Sequence, residues 1–234
     1  LARAMEDGFV KEPAVVTQRN FDPRGLSTEQ IEEIKLKDGI RLHEMTKVHL
    51  INYAQNTGQS RVKPFVLIIA RDTTHAAQLK ERIESDEFFK GQYKDKVIQV
   101  DSSTKEEEII QRLLSVEDPN EPTEIVIHVN MLKEGWDVTN LYTIIPLRAA
   151  NARTLVEQSI GRGLRLPYGK RTGVEEVDRL SIVAHDRFQD IVDETNRADS
   201  ILKLKTYILE PENEEQEVIS VTSTSRLDVL LGTG

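Results

Sequence analysis

The sequence predicts an α/β fold in which helices cover both faces of a parallel β-sheet. From Pro64 onward, short apolar runs alternate with helical periods over about 120 residues, as expected of a doubly wound domain. The runs are rich in β-branched residues and apolar on both faces, which is typical of buried parallel strands. The predicted strands are residues 65–70, 97–100, 125–129, 142–147 and 180–184, and the predicted helices are residues 73–89, 104–116, 152–160 and 186–197.

The residues before this domain predict a linker and helical segment over residues 1–63. Pro23-Arg24-Gly25 is typical of a turn, and residues 27–30 (STEQ) have the pattern of a capping box. We therefore expect a helix to begin there, to break at residues 37–39 (KDG), and to resume until Gly58. The second domain then covers residues 64–200. A C-terminal extension, residues 201–234, has strand-like pieces at 204–209 and 218–221.

Composition excludes several classes of protein. Cysteine is absent, so disulfides and thiolate metal sites are excluded, and we predict no metal site in this chain. No window approaches the roughly 20 apolar residues of a membrane span, which favours a soluble, cytoplasmic protein without membrane contact. The first residue is Leu1, in sequence typical of the middle of a domain, so we expect a fragment of a longer protein.

Charge limits any nucleic-acid contact to a local surface. The formal net charge of −9 argues against binding by bulk electrostatic attraction. One stretch differs from the rest, because residues 147–171 carry six basic side chains and a single acidic one, Glu157. Nucleic acid would therefore have to bind locally.

The first half of an ATPase site is missing from the sequence. The nearest match to a phosphate-binding loop, residues 163–171 (GLRLPYGKR), has five residues between its glycines. It also has Arg171 where serine or threonine would hold magnesium. The acidic pairs at 86–87 and 193–194 lie in predicted helices, whereas a magnesium-binding pair follows a strand. The chain alone lacks both nucleotide motifs.

Features of the second half of such a site are present. The predicted helix 152–160 leads into residues 161–165 (GRGLR), where glycines let the backbone bend and Arg162 and Arg165 are three residues apart. Two forked, permanently charged guanidinium groups suit a polyphosphate. The loop after the third predicted strand contains Gly135, which permits close approach, and Asp137, which suits a ribose hydroxyl.

Two motifs carry a family resemblance. Residues 131–138 (MLKEGWDV) and 157–165 (EQSIGRGLR) resemble motifs V and VI of superfamily 2 helicases. Residues 134–138, together with residues 8–13 (GFVKEP), are most similar to the Res subunit of type III restriction enzymes. The resemblance covers roughly residues 1–200. It implies that the sheet is the second RecA-like domain of a motor.

The resemblance implies roles for residues near the nucleotide. Arg162 and Arg165 correspond to the motif VI arginines that face the phosphates across the cleft between two domains. Ser159 stands where the family often has an additional arginine. We assign nucleotide contacts to the remaining matching positions, which are Gly135, Asp137, Gln158 and Gly161.

Nucleic-acid contacts are assigned after the first predicted strand. This strand corresponds to motif IV and is followed by Arg71, and a predicted helix begins at Thr73 or Thr74. A helix N-terminus binds anions through its free amide groups, so these three residues are candidates for a backbone phosphate.

As a whole, the resemblance implies the C-terminal motor domain of an ATP-dependent DNA translocase or helicase, an endonuclease subunit of restriction type. ATP and Mg²⁺ would be bound mainly by the first RecA-like domain, which this chain lacks. The implied partners are double-stranded DNA, that first domain and a Mod-type methyltransferase subunit. The isolated chain would be nearly inactive as an ATPase, and it contains no clustered nuclease core.

Other interpretations remain open at this stage. The parent could be another superfamily 2 motor, such as a type I restriction subunit or a repair helicase. The chain could also be a non-catalytic interaction module with the same fold, in which Arg162 and Arg165 are surface arginines paired with acids. A free-standing enzyme acting on small molecules is the third alternative, and it needs a catalytic base that we do not find.

Overall fold

The computed structural model describes residues 10–100, 107–129, 138–147, 165–187, 190–191, 193 and 204–211. Its strands are β1 (Glu12–Gln18), β2 (Phe65–Ile69), β3 (Val97–Val100), β4 (Ile125–His128), β5 (Leu141–Pro146), β6 (Arg179–Val183) and β7 (Lys205–Leu209). Its helices are α1 (Thr28–Thr57), α2 (Thr73–Glu84), α3 (Glu107–Leu114) and the short α4 (Glu175–Asp178), with 3₁₀ turns at Phe89–Gly91 and His185–Arg187. The strands form one seven-stranded sheet, β3-β4-β2-β5-β6-β1-β7, in which every pair is parallel. The predicted α/β fold is confirmed.

Successive side chains of the central strands enter two different cores. Val15 and Ile144 belong to the core on the face covered by α3, whereas Val16 and Ile145 belong to the core under α1 and α2. Side chains alternate between the two cores because successive residues of a strand point to opposite faces of the sheet. Burial of both faces explains why the strands are apolar runs in the sequence.

Strand β1 was not expected from the sequence. The interpretation of residues 1–63 as a linker and helical segment did not include it, yet β1 lies between β6 and β7. Its register pairs Val15 with Ile182 on one side and with Thr206 on the other. Pro13 argues against an interior strand, because proline cannot donate to a ladder. The strand tolerates it as its second residue, and the N-terminal segment becomes part of the sheet.

Helix α1 begins and ends as predicted. The amide of Gln30 donates to Ser27 Oγ at 3.2 Å, and the amide of Ser27 donates to Gln30 Oε1 at 2.8 Å, so the capping box is present. Gly58 ends the helix in the left-handed region, with φ of 71°, and its amide donates to the Ala54 carbonyl. Both predicted ends are confirmed.

The predicted break of this helix at residues 37–39 is wrong. The helix is continuous because Gly39 faces the sheet, where a Cβ added to it would lie 2.2 Å from Cδ1 of the buried Ile145. The glycine therefore permits close packing of α1 on β5, and it does not interrupt the helix.

Several predicted bounds differ from the observed ones. Helix α2 ends at Glu84, five residues before the predicted end, because residues 85–96 form turns. Strand β7 matches the strand-like piece at 204–209. The predicted helix at 152–160, most of the helix at 186–197 and the strand at 218–221 lie outside the described residues. Within the part of the chain that the structure describes, no helix combines the length and apolar character of a membrane span.

Candidate nucleotide and nucleic-acid interface

The carboxyl ends of β2, β4, β5 and β6 lie along one edge of the sheet, where ligands of such domains bind. In sequence, these strands are followed by residues 71–75, 130–137, 148–164 and 185–187, and of these segments the structure describes 71–75 and 185–187. Five predicted site residues lie in those segments but outside the described residues, namely Gly135, Asp137, Gln158, Gly161 and Arg162. Their assignments stay predictions. Arg71, Thr73, Thr74 and Arg165 are described.

The structure places Thr73 and Thr74 in the first turn of α2. Asp72 is the N-cap, and its carboxylate accepts a hydrogen bond of 2.8 Å from the amide of His75. Thr73 and Thr74 are exposed, and among the described residues no acceptor for their amides is present. Helix α2 thus presents two amide donors at the carboxyl edge, as the sequence predicts.

Arg71 is held by a buried acid of α1. Its Nη1 lies 2.6 Å from Oε1 of Glu32, and its backbone amide donates to Nδ1 of His75 at 3.2 Å. His75 Nε2 lies 3.2 Å from the second Glu32 oxygen. Because Nδ1 accepts, Nε2 carries the proton and donates to Glu32. Burial lowers the pKa of His75, although the negative charge of Glu32 acts to raise it. The lowered pKa favours this neutral form.

Two further polar side chains of α1 reach the same edge. Lys35 is buried, and its Nζ donates to the Pro146 carbonyl at 2.5 Å and to Asp186 Oδ1 at 2.9 Å. Asp38 is also buried and lies 2.9 Å from Nε2 of the buried His185. One helix therefore contacts the last residue of β5 and the segments that follow β2 and β6. Glu32, Lys35 and Asp38 were not predicted, because in the sequence they look like ordinary surface residues of a helix.

Arg165 lies in a different place from the α2 N-terminus. It is exposed, and its backbone forms an antiparallel bridge with Val10, before the amino end of β1. Arg71, Thr73 and Thr74 lie together at the carboxyl edge. The described structure therefore brings together the three residues assigned to nucleic acid, and it places Arg165 apart from them.

A third polar group lies at the amino edge, where Glu124 precedes β4. Its carboxylate lies 3.1 Å from His43 Nε2, 2.9 Å from Lys47 Nζ and 2.8 Å from Lys96 Nζ. Burial acts to raise the pKa of Glu124, but His43 and the lysines lower it far below its usual range. His43, Glu44 and Glu124 are spaced like metal ligands. Because two ammonium groups already contact Glu124, we interpret this group as structural ion pairs.

Comparisons with known proteins support the resemblance. The chain is 36% identical over 105 residues to the Res subunit of the type III enzyme StyLTI of Salmonella typhimurium, which is 42% of this chain and 10% of that protein. It is 26% identical over 177 residues to the EcoPI Res subunit of Escherichia phage P1, which is 71% of this chain and 17% of that protein. The chain thus spans a small part of these relatives. No protein family profile matches it.

A solved structure shares the fold. A fragment from Vibrio vulnificus, described as an HsdR subunit of a type I restriction enzyme, superposes with a TM-score of 0.52 at 18% identity. The superposition covers 89% of this chain and 38% of that one. The sequence similarity confirms the predicted resemblance to the Res subunits of type III restriction enzymes, and the solved structure shows the same α/β fold.

Proposed function

We propose that this chain is the C-terminal motor domain of an ATP-dependent DNA translocase, and that its parent is the Res subunit of a type III restriction–modification system. The observation that supports this proposal most strongly is the 26% identity to a Res subunit over 71% of the chain. The aligned stretch of 177 residues is long enough to span most of the sheet. The parallel sheet and the two motifs at 131–138 and 157–165 support the same proposal.

The proposed mechanism divides one ATP site between two domains. The first RecA-like domain would bind ATP and Mg²⁺, because this chain has no phosphate-binding loop. From this chain, Gly135, Asp137, Gln158 and Gly161 would contact the nucleotide. Arg162 and Arg165 would stabilise the charge that develops on the phosphate oxygens, as arginine fingers do. Closure of the cleft would then shift the DNA-contacting residues of this domain relative to those of the other.

The proposed partners follow from the same assignment. Double-stranded DNA would contact the carboxyl edge, and a Mod-type methyltransferase subunit would read the target sequence. Residues 64–200 would form most of the motor domain, with β1 completing its sheet. Such a restriction system would operate in the cytoplasm.

Hydrolysis of ATP with and without DNA tests this function. We expect the full-length parent to hydrolyse ATP only when DNA is added, and the isolated chain to be silent under both conditions. Hydrolysis by the isolated chain would instead favour a free-standing enzyme. If the parent translocates on DNA but its cleavage needs no methyltransferase subunit, another superfamily 2 motor becomes the better assignment.

Replacing Arg71 by alanine should weaken DNA binding by the parent and lower its salt dependence. One lost phosphate contact reduces the slope of log K against log salt by about 1. Fluorescence anisotropy of a labelled duplex over a salt series measures this slope. Arg24→Ala removes an exposed arginine that lies far from α2 in sequence and that pairs with Asp22 among the described residues. It should leave the slope unchanged.

A second variant separates binding from folding. Glu32→Gln removes the acid that holds Arg71, but the positive charge of Arg71 remains. The affinity for DNA should therefore stay within a few-fold of the wild-type value. Equal losses in Glu32→Gln and Arg71→Ala would mean that Arg71 acts by stabilising the loop and does not contact phosphate.

A further inference from the structure

The backbone of Val10 is held from two sides by the segment that contains Arg165. Val10 and Arg165 form an antiparallel bridge, so their main chains run side by side. Arg171, six residues later, donates from Nε to the Val10 carbonyl at 3.0 Å. Its Nη1 also lies 2.9 Å from Oε1 of Glu12. Arg171 thus connects the residues after Arg165 to the strand beside which Arg165 lies.

Residues 10–12 give this segment a rigid support. Glu12 begins β1, which is paired along both sides. The Lys11 side chain is fully buried, donates to the Leu141 carbonyl at 3.0 Å and lies 4.3 Å above the Tyr142 ring. Burial lowers the pKa of Lys11 to about 7, although the negative charges of Glu117 and Asp178 act to raise it. A side chain enclosed in this way fixes the backbone on either side of it.

Arg171 is itself fixed from the other direction. The buried Asp178 carboxylate accepts hydrogen bonds of 2.9 Å from the amides of Thr172 and Gly173, directly after Arg171. Between the two arginines, Gly169 makes a turn with φ of 70°, and its amide donates to the Leu166 carbonyl. The segment 165–173 is therefore held at its start by Val10 and at its end by Asp178.

We propose that Arg171 is a positioning residue for Arg165, acting through Val10 and Glu12. The inference rests on the proposed function, in which Arg165 is an arginine finger. A finger stabilises the transition state only when its guanidinium group is held in place, and a misplacement of about 1 Å costs about a hundredfold in rate. ATP would be bound mainly by the other domain, and Arg171 is not among the residues assigned to the nucleotide, so loss of Arg171 should slow turnover without weakening ATP binding.

DNA-stimulated ATP hydrolysis by the full-length parent tests this role. We expect Arg171→Met to lower kcat about tenfold or more with an unchanged KM for ATP. Arg171→Lys keeps the charge opposite Glu12 but has no fork to reach both partners, so its kcat should be intermediate. Arg112→Met is the matched control, because Arg112 is similarly exposed and is paired with Glu121. It should keep near-normal turnover.

A double variant distinguishes positioning from a general structural role. If Arg171 acts through Arg165, then Arg165→Ala combined with Arg171→Met should be no slower than Arg165→Ala alone. Multiplied effects, a raised KM with normal kcat, or a loss no larger than that of Arg112→Met would each overturn the inference. Normal turnover of Arg165→Ala would instead overturn the proposed function. Thermal midpoints of all variants verify that they are folded.

Discussion

Replacing Arg165 by alanine in the full-length parent is expected to lower DNA-stimulated ATP hydrolysis by about a hundredfold or more. Arginine fingers contribute about 10³ to 10⁵ in rate in GTPases, because they stabilise charge that is largest in the transition state. Since the first domain would bind ATP, the affinity for ATP should change little. Arg162→Ala should give a loss of similar size for the same reason.

Turnover and ATP binding must be measured on the same samples. Steady-state hydrolysis reports the first, and titration with a fluorescent ATP analogue reports the second. Lys170→Ala is the control, because Lys170 is an exposed cation five residues further along the same segment. Near-normal turnover by Arg165→Ala would show that Arg165 is not a finger. Weaker ATP binding with unchanged kcat would assign it to ground-state binding.

Replacing Glu124 by glutamine is expected to destabilise the chain by about 2 to 4 kcal/mol. Removing one partner of a buried ion pair costs about 3 to 5 kcal/mol, and the partial exposure of Lys47 and Lys96 reduces this range. The midpoint of urea unfolding, followed by circular dichroism, measures the change. Glu210→Gln breaks a pair with Arg19 in which both side chains are more than half exposed. This control should cost less than about 1 kcal/mol.

The same carboxylate predicts the behaviour of the chain in acid. The pKa of Glu124 is lower in the folded state than its unfolded value near 4.5. Its stabilising contribution is therefore complete above that value and is lost as the pH falls toward the folded pKa. Below pH 4.5 the wild type should lose stability more steeply than Glu124→Gln. Parallel curves for the two proteins would mean that the ion pairs do not contribute to folding.

Local patterns predicted most of the sheet because its strands are buried on both faces. The run at β2 is apolar throughout, and the runs at β4 and β5 are mostly apolar apart from His128 and Thr143. Such a pattern can be read without knowledge of distant residues. Strand β1 was missed because Pro13 lowers the local preference for a strand. Gly39 was misread because its role lies in contact with Ile145, more than a hundred residues away in sequence.

Local sequence patterns indicated candidate site residues only where those residues follow the ends of predicted strands. Arg71, Thr73 and Thr74 were chosen because they follow a predicted strand and begin a predicted helix, and their contact with nucleic acid stays a prediction. Glu32 and Lys35 were not predicted to lie at this edge, because their partners are 39 residues or more away in sequence. A helical pattern shows only that these two residues are polar. The positioning of Arg165 by Val10 is equally invisible, since a main-chain bridge has no sequence signal.

The place of β1 in the sheet also determines the order in which the domain can fold. Among the strands of this sheet it is synthesised before the others, yet Val15 pairs with Ile182 and Thr206, which follow more than 160 residues later. Closing such long loops is slow because chain entropy is lost before the contacts form. Until β6 and β7 emerge from the ribosome, β1 has two unpaired edges that expose the apolar run 14–16 to misassembly.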